Sequence, residues 1–319
     1  MIIMEEHIYI NEVHQHENKE ITGFYLAQEK ELREGKGGNF IRIKLRDRSG
    51  YVTANVWKDA IQTSELFDAG DIVHIKAQVV NYKGQIQLSI QQLRYADKSE
   101  FDMGLFLAKS RFEPEFLAER FWTFVDKVEN EYLNRLLHVV FDDKGFFDSF
   151  LKAPAAKSWH HNYVHGLIEH IVAVASLCEF VSMQYPVSLD LLITGALFHD
   201  AAKVKEYSGQ ASIDFTDEGR LLGHLSMGDQ MVIEAAAQIP GFPAELLLNL
   251  RHLILSHHGE YEKASVRLPQ TLEAILLHHC DNLDAQAAGV CQLLDASAPD
   301  AVWSEYDKIN NRYYRIVRI

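Results

Sequence analysis

The stretch Leu191-Leu192-Ile193-Thr194-Gly195-Ala196-Leu197-Phe198-His199-Asp200-Ala201-Ala202 consists mostly of apolar and small residues, with a histidine and an aspartate near its end. Such a run predicts a buried helix. The two polar side chains need partners there, because an unpaired polar group in an apolar setting costs roughly 2–7 kcal/mol. A metal ion would satisfy both at once. The stretch therefore predicts a helical domain built around a divalent metal site.

Further candidate ligands lie along the chain on both sides of this pair. Five successive predicted helices contribute one ligand or ligand pair each, as in helix bundles that hold metals between facing helices. Imidazole and carboxylate ligands favour ions such as Mn, Fe, Co and Zn, and Cys178, Cys280 and Cys291 lack the spacing of a thiolate site. The predicted metal ligands are His170, His199, Asp200, His224, His257, His258 and Asp281.

Helical periodicity begins after a boundary near Asp97 to Phe101 and continues through the rest of the chain. Adjacent residues on a helix point about 100° apart, so His257 and His258 can share one site only if their helix ends there. Gly259 indicates that it does. The predicted helices are Pro114–Phe141 (one or two helices), Lys144–Lys152, Gly166–Gln184, Leu189–Val204, Leu221–Gln238, Pro243–Ser256 and Pro269–Leu294.

Alternating apolar and polar residues before this boundary predict a small β-barrel. Turn residues separate the runs, for example Glu34–Asn39 and Asn81–Gly84. Five strands with such turns resemble an OB fold, a Greek-key barrel that often binds single-stranded nucleic acid. The predicted strands are Ile21–Leu26, Phe40–Leu45, Tyr51–Trp57, Asp71–Ala77 and Gln85–Ile90.

Cations lie beside aromatic residues in the predicted barrel, a combination typical of surfaces that bind single strands. In the alternative interpretation, the cations form a solvated strand face and Trp57 belongs to the core. The predicted nucleic-acid contacts are Arg42, Lys44, Arg46, Trp57 and Tyr82, with Arg48 and Tyr51 beside them.

Length and composition bound the architecture. The 319 residues suffice for two domains. We expect an α+β multidomain protein: an OB-type barrel in residues 1–98, a helical connector in 99–152 and a metal-dependent helical domain in 153–319. The formal net charge of −14 argues against coating nucleic acid by bulk electrostatics. The segment Met1–Glu6 does not resemble a signal peptide and no apolar run is long enough to span a membrane, so we expect a cytoplasmic protein without disulfides.

Longer stretches around the ligands narrow the interpretation. The order of the ligands resembles the HD-domain superfamily of metal-dependent phosphohydrolases. Within it, Trp159–His170, Phe198–Lys203, Phe215–His224 and Ser256–Gly259 are similar to the YhaM-type 3′-5′ exoribonucleases, in which an OB fold precedes the HD domain. The likeness covers nearly the whole chain, although Ala202 stands where a glycine is common and His165 where a small residue is expected.

This resemblance implies a two-metal site. His170, His199, Asp200 and Asp281 would hold one ion, and His224 with one or both of His257 and His258 would hold a second, with Asp200 bridging. Mn²⁺ is our first choice, and Co²⁺, Fe²⁺, Mg²⁺ and Zn²⁺ remain alternatives.

Three residues are predicted to act beside the metal. Asp200 is both ligand and catalytic residue. Lys203 lies three residues later, so its ammonium could stabilise charge that develops on a phosphoryl group. His161, or its neighbour His160, could contact the phosphate or protonate the leaving oxygen. Asp284, one turn beyond Asp281, is expected to be a solvated charge.

The predicted function is a 3′-5′ exoribonuclease that degrades single-stranded RNA to nucleoside monophosphates; cleavage of single-stranded DNA is left open. The resemblance also implies a homo-oligomer of unspecified size. One alternative is an HD-type phosphohydrolase of mononucleotides or cyclic dinucleotides, with a regulatory barrel. A second is a non-catalytic nucleic-acid-binding protein, against which the complete ligand set speaks.

Overall fold

A computed structural model describes residues 7–35, 37–97, 99–106, 109–157, 159–208, 213–295, 297–298 and 300–317. The Met1–Glu6 segment and Lys36, in the first predicted turn, lie outside these ranges. The chain divides into two compact units, with the boundary between Lys109 and Ser110. None of the described helices is long and apolar enough to cross a membrane.

The first unit is a closed five-stranded barrel with the strand order β1-β2-β3-β5-β4. Neighbouring strands are antiparallel except β3 and β5, which are parallel. The predicted barrel is therefore confirmed, although most strands are longer than the alternation indicated. Their bounds are β1 Glu20–Gly35, β2 Gly38–Asp47, β3 Gly50–Val56, β4 Ile72–Tyr82 and β5 Gln85–Tyr95.

Alternation along β2 shows why these residues form a barrel. Ile41, Ile43 and Leu45 are fully buried, whereas Arg42 between them is exposed. Inward side chains from all five strands fill the core, as in other small barrels. The unit also contains two 3₁₀ helices, Ile10–His16 and Met103–Leu105, and the short helix α1, Ala60–Ser64.

The second unit is helical, as predicted. Helices from the predicted connector share one apolar core with the helices that follow, so that Phe121 and Phe150 pack with Leu167 and Phe198. Its helices are α2 Pro114–Asp126, α3 Glu131–Phe141, α4 Lys144–Lys152, α5 Gly166–Ser182, α6 Leu189–Phe198, α7 Lys203–Glu206, α8 Asp217–Ala236, α9 Ala244–Ser256 and α10 Leu272–Asp295.

Several predicted helix bounds are wrong. The helix predicted over Leu189–Val204 ends at Phe198, and the chain passes through a tight turn before α7 begins. In that turn the amide of Ala201 bonds to the carbonyl of Phe198, three residues back. Periodicity did not reveal this break because apolar residues continue through it. The break allows His199 and Asp200 to project toward one point.

Candidate metal centre

The seven predicted ligands converge in the helical unit. His170 lies inside α5, and the His199-Asp200 pair follows α6 directly. His224 follows Gly223, whose positive φ of 71° breaks the regular geometry of α8. The remaining ligands, His257, His258 and Asp281, come from the end of α9 and from the middle of α10.

Asp200 lies between two groups of imidazoles. Its Oδ2 is 3.5 Å from Nε2 of both His170 and His199. Its Oδ1 is 3.3 Å from Nε2 of His224 and 3.6 Å from Nε2 of His257. Within the described part of the chain, this buried Oδ1 has no hydrogen-bond partner. One carboxylate therefore faces both groups with an oxygen each, as a bridging ligand would.

The other ligand atoms complete the two groups. Oδ1 of Asp281 is 3.1 Å from Nε2 of His170, and Nε2 of His258 is 3.3 Å from Nε2 of His224. The ligand atoms of each group lie within 4.8 Å of one another, which is close enough for a single ion. The first group is His170, His199 and Asp281, and the second is His224, His257 and His258.

Backbone carbonyls orient three of the imidazoles through Nδ1. The pairs, each separated by 2.7 Å, are His199 with Ala196, His257 with Ile254 and His258 with Lys263. Because a carbonyl only accepts hydrogen bonds, each Nδ1 carries a proton, and Nε2 is the nitrogen that faces the site. The site thus gathers nitrogen and carboxylate lone pairs in a buried space. Divalent cations would satisfy them, so the residues fit the group that they are predicted to bind.

The protonation states of four predicted ligands, His199, His258, Asp200 and Asp281, also suit a metal. Burial lowers the pKa of His199 to about 4 and that of His258 to about 3. Burial raises the pKa of Asp200, but the Lys203 ammonium and the surrounding imidazoles together outweigh it and hold that pKa well below its usual range. The pKa of Asp281 is lowered in the same way, chiefly by a hydrogen bond from His170. At neutral pH these carboxylates are ionised and these two imidazoles are neutral, as metal binding requires.

Lys203 differs from its predicted setting. It begins α7, after the break, and is not on one continuous helix with Asp200. Its Nζ lies 2.6 Å from Oδ2 of Asp200, and the residue is only 7% exposed. The ammonium therefore already neutralises part of the central carboxylate. Its contact with a phosphoryl group stays a prediction.

The expectation that Asp284 is a solvated charge is wrong. Its Oδ2 accepts hydrogen bonds from Nδ1 of His170 at 2.7 Å and from Nε2 of His161 at 2.9 Å. Burial lowers the pKa of His170, but its hydrogen bonds to Asp200, Asp281 and Asp284 outweigh this and raise it well above its usual value. The only signal in the sequence was the three-residue spacing from Asp281, which puts both carboxylates on one helix face.

Glu206 is a buried carboxylate whose contact with a predicted ligand was not expected from the sequence. Glu206, at the end of α7, accepts hydrogen bonds at 3.0 Å from the backbone N–H and from Nδ1 of His224. The pKa of Glu206 is raised by burial but lowered further by these bonds, so the group is ionised at neutral pH. Nothing in the sequence pattern connected it to a histidine 18 residues away.

His161 is close to the ligands but is held by neighbours. Its Nδ1 lies 2.8 Å from the Tyr163 hydroxyl and its Nε2 contacts Asp284. Its role in contacting the phosphate or protonating the leaving oxygen stays a prediction. His160 also lies close to His170, with ring centroids 5.3 Å apart, but its buried Nδ1 has no partner in the described residues. Burial lowers the pKa of His160 to about 3.

The predicted nucleic-acid contacts lie on the barrel surface. Trp57 is 57% exposed and stacks on Phe40 with ring centroids 4.8 Å apart, so the alternative that places it in the core is wrong. Tyr82, in the β4–β5 hairpin, is also exposed. Arg42 and Arg46 are exposed and have no ion-pair partner among the described residues.

Lys44 is more constrained than the arginines. Its Nζ lies 3.1 Å from Glu29 and 4.6 Å from the ring centroid of Tyr51. A groove of about 320 Å³ passes across this part of the barrel, so that cations, carboxylates and an aromatic ring share one surface. Its lining residues are Glu29, Glu31, Arg33, Arg42, Ile43, Lys44, Tyr51 and Thr53.

Comparisons with known proteins match both units. Residues 167–286 match the HD domain family, and residues 26–95 match the OB-fold nucleic acid binding domain family. The matched HD segment contains all seven predicted ligands.

Solved structures with detectable similarity include the second OB-fold domain of replication protein A from Methanococcus maripaludis (17% identity, covering 26% of this chain and 88% of that one, TM-score 0.22). Two synthetases from Entamoeba histolytica also match. The asparaginyl-tRNA synthetase has 16% identity, covering 42% of this chain and 32% of that one, with a TM-score of 0.22. The aspartyl-tRNA synthetase has 13% identity, covering 57% of this chain and 38% of that one, with a TM-score of 0.26. The chain therefore spans less than half the length of these synthetases. It combines an N-terminal OB-fold domain of the nucleic-acid-binding type with a C-terminal HD domain, the domain of metal-dependent phosphohydrolases.

Proposed function

We propose that the protein is a metal-dependent 3′-5′ exoribonuclease that hydrolyses single-stranded RNA to nucleoside 5′-monophosphates. The observation that carries this proposal is the position of Asp200, whose two oxygens face separate groups of imidazoles in a domain that follows an OB-fold barrel. The direction of cleavage and the RNA substrate rest on the resemblance of the sequence to YhaM-type enzymes.

The ligands divide between two ions, and Mn²⁺ is our first choice. His170, His199 and Asp281 would hold one ion, His224, His257 and His258 the other, and Asp200 would bridge them. When bound, such a pair polarises a phosphoryl oxygen and lowers the pKa of water, so no serine or cysteine nucleophile is required.

The protein side chains supply orientation and charge. Lys203 is buried beside Asp200, where its ammonium can stabilise the additional negative charge of a phosphoryl group under attack. The Nδ1 contacts of the imidazoles keep the rings from rotating away. His160 presents a neutral ring beside His170, and its Nδ1, which has no partner among the described residues, can accept a hydrogen bond.

The barrel would bind the single strand. Arg42 and Arg46 are exposed and unpaired within the described residues, so they are available to phosphates. Trp57 and Tyr82 expose rings on which bases can stack. Because the chain as a whole is acidic, we expect affinity to fall steeply as salt is added.

The deciding experiment follows single-stranded RNA labelled at its 5′ end, incubated with the protein and either Mn²⁺ or a chelator. We expect a ladder that shortens from the 3′ end only when metal is present. A DNA strand of the same sequence tests whether the enzyme distinguishes ribose from deoxyribose. An intact strand together with rapid hydrolysis of a mononucleotide or cyclic dinucleotide would instead support a small-molecule phosphohydrolase.

Three variants connect this activity to the metal site and to the barrel. Asp200→Ala should abolish hydrolysis and leave strand binding intact, whereas Asp148→Asn, at an exposed position of α4, should behave like the wild type. Retained turnover in Asp200→Ala would refute the site. A triple replacement of Arg42, Lys44 and Arg46 should weaken binding of long strands more than cleavage of a dinucleotide.

A further inference from the structure

Residues 303–315, near the end of the described part of the chain, form a small β-hairpin, which we call the C-terminal hairpin. Bridges pair Trp303 with Arg315 and Asp307 with Arg312. The Asp307 side chain is buried in the turn, where it accepts hydrogen bonds from the backbone N–H of Ile309 at 2.9 Å and from the Asn310 amide at 2.7 Å. The hairpin is thus closed by its own hydrogen bonds, to which the exposed Arg312 adds one from Nε to the Asn310 carbonyl at 3.0 Å.

Three aromatic rings of the C-terminal hairpin are exposed together. Trp303 is 53% exposed, Tyr306 42% and Tyr313 59%. The Tyr306 and Tyr313 ring centroids are 5.0 Å apart, and the Arg315 guanidinium lies 5.9 Å from the ring of Trp303. Tyr313 and Arg315 are two residues apart on one strand and share a face. Rings and a cation therefore occupy neighbouring positions on one surface.

The charge of the C-terminal hairpin is opposite to that of the chain. It carries the exposed cations Lys308, Arg312 and Arg315, whereas Glu305 is its only exposed carboxylate, because Asp307 is buried. Among the residues that the structure describes, no carboxylate forms an ion pair with these three cations. A basic, aromatic surface on a chain of net charge −14 favours a polyanion with flat apolar groups.

We propose that the C-terminal hairpin is a second binding surface for single-stranded nucleic acid, separate from the barrel. Bases stack on Trp303, Tyr306 and Tyr313, and Arg312 and Arg315 contact phosphates. This inference rests on the proposed function for the identity of its ligand. A second copy of the chain fits the surface less well, because a symmetric dimer would bring two like-charged faces together.

The test measures the affinity of the full-length protein for a fluorescent oligouridylate in the presence of a chelator, so that cleavage does not interfere. We expect Trp303→Ala/Tyr313→Ala to weaken binding about 5- to 150-fold for each stacked base that is lost. Trp303→Phe/Tyr313→Phe should retain most of the affinity, because a phenyl ring still stacks. The matched control is Phe180→Ala/Tyr185→Ala, which removes two exposed rings elsewhere in the helical unit.

A second pair of variants tests the cations. Arg312→Gln/Arg315→Gln should reduce the slope of log affinity against log salt by about 0.7 for each phosphate contact that is lost. Circular dichroism and mass measurements on every variant check the fold and the oligomeric state. Normal strand affinity in the Trp303 and Arg312 variants would overturn the proposal. A changed oligomeric mass with unchanged affinity would show instead that the surface joins copies of the chain.

The two proposals can fail separately. A wild-type protein that binds the oligouridylate through the C-terminal hairpin but does not shorten RNA with Mn²⁺ would refute the exoribonuclease and leave this inference standing. A wild-type protein that shortens RNA, with no effect of the hairpin variants on binding, would refute only the inference. A wild-type protein that neither binds nor cuts single strands would refute both.

Discussion

Nδ1 of the His170 imidazole lies 2.7 Å from Oδ2 of Asp284 and donates a hydrogen bond to it. Asp284 lies on α10, one turn beyond Asp281. Such a carboxylate fixes the ring orientation of a metal-binding histidine and increases the basicity of its other nitrogen. Asp284→Asn should therefore weaken one of two Mn²⁺ binding steps about 10- to 100-fold in a calorimetric titration. Asp295→Asn, at an exposed position of the same helix, is the control. Unchanged binding in Asp284→Asn would show that the contact is only structural.

Lys203 gives a prediction that separates catalysis from metal binding. Its ammonium is 2.6 Å from Asp200, so Lys203→Met should not weaken Mn²⁺ binding, because a competing cation is removed. Turnover should fall about 10²- to 10³-fold if the ammonium stabilises the transition state. Lys205→Met, on the exposed side of the same short helix, should leave both quantities unchanged. Loss of metal binding in Lys203→Met would assign the lysine a structural part instead.

Two glycines beside the ligands should respond differently to alanine. Gly223 and Gly259 both have positive φ, 71° and 77°. A Cβ at Gly259 would lie 2.2 Å from the His278 ring, whereas one at Gly223 would lie 3.9 Å from Oε1 of Glu206, its nearest contact among the described residues outside its own stretch of helix. Gly223→Ala should lower the free energy of unfolding by about 1–2 kcal/mol, the cost of left-handed backbone. Gly259→Ala should lower it further in chemical denaturation, and equal losses would contradict the clash.

Carboxylates in the barrel groove should oppose nucleic-acid binding. Glu29 pairs with Lys44 at 3.1 Å, and Glu31 accepts a hydrogen bond of 2.7 Å from Arg33. Each carboxylate therefore neutralises a cation that could bind phosphate, and its own charge repels phosphate. Glu29→Gln/Glu31→Gln should raise the affinity for single strands by about two- to fivefold for each charge removed at low salt. Glu65→Gln, an exposed change outside the groove lining, should have a smaller effect.

The stability of the barrel should depend on pH through Asp47. Burial raises the pKa of this carboxyl, but hydrogen bonds from His7, Ser49 and Ile10 outweigh it and hold the pKa below 3.8. The unfolded chain then binds the proton more readily, so the contribution of ionised Asp47 is complete above about pH 4 and is lost as pH falls through the lowered value. Asp47→Asn should cost about 1–3 kcal/mol at neutral pH.

Denaturant titrations of both proteins across the acidic range check this prediction. The difference in the free energy of unfolding between wild type and Asp47→Asn should shrink below pH 4. A difference that stays constant with pH would mean that the carboxylate charge is not the source of the stability.

The seven predicted ligands could be singled out in the sequence because polar residues stand out against apolar helical runs. The break between Phe198 and Lys203 could not be predicted, since apolar residues continue through it. Neither Asp284 nor Glu206 could be assigned. Asp284 contacts the ring of His170, 114 residues earlier in the chain, and Glu206 contacts the ring of His224, 18 residues later. Each contact therefore depends on how whole helices pack.

Local patterns thus determined the class of the main elements in this protein: strands with period two closed into the barrel, and the longer helices with period 3.6 formed the second unit. The tertiary structure decided which atoms meet. It placed the two Asp200 oxygens between two groups of imidazoles, buried Lys203 beside them and gave two of the rings a carboxylate partner. The reason is physical: periodicity is a property of neighbouring residues, whereas this site requires atoms from five separate segments of the chain to meet within a few ångströms, which only the packed core can impose.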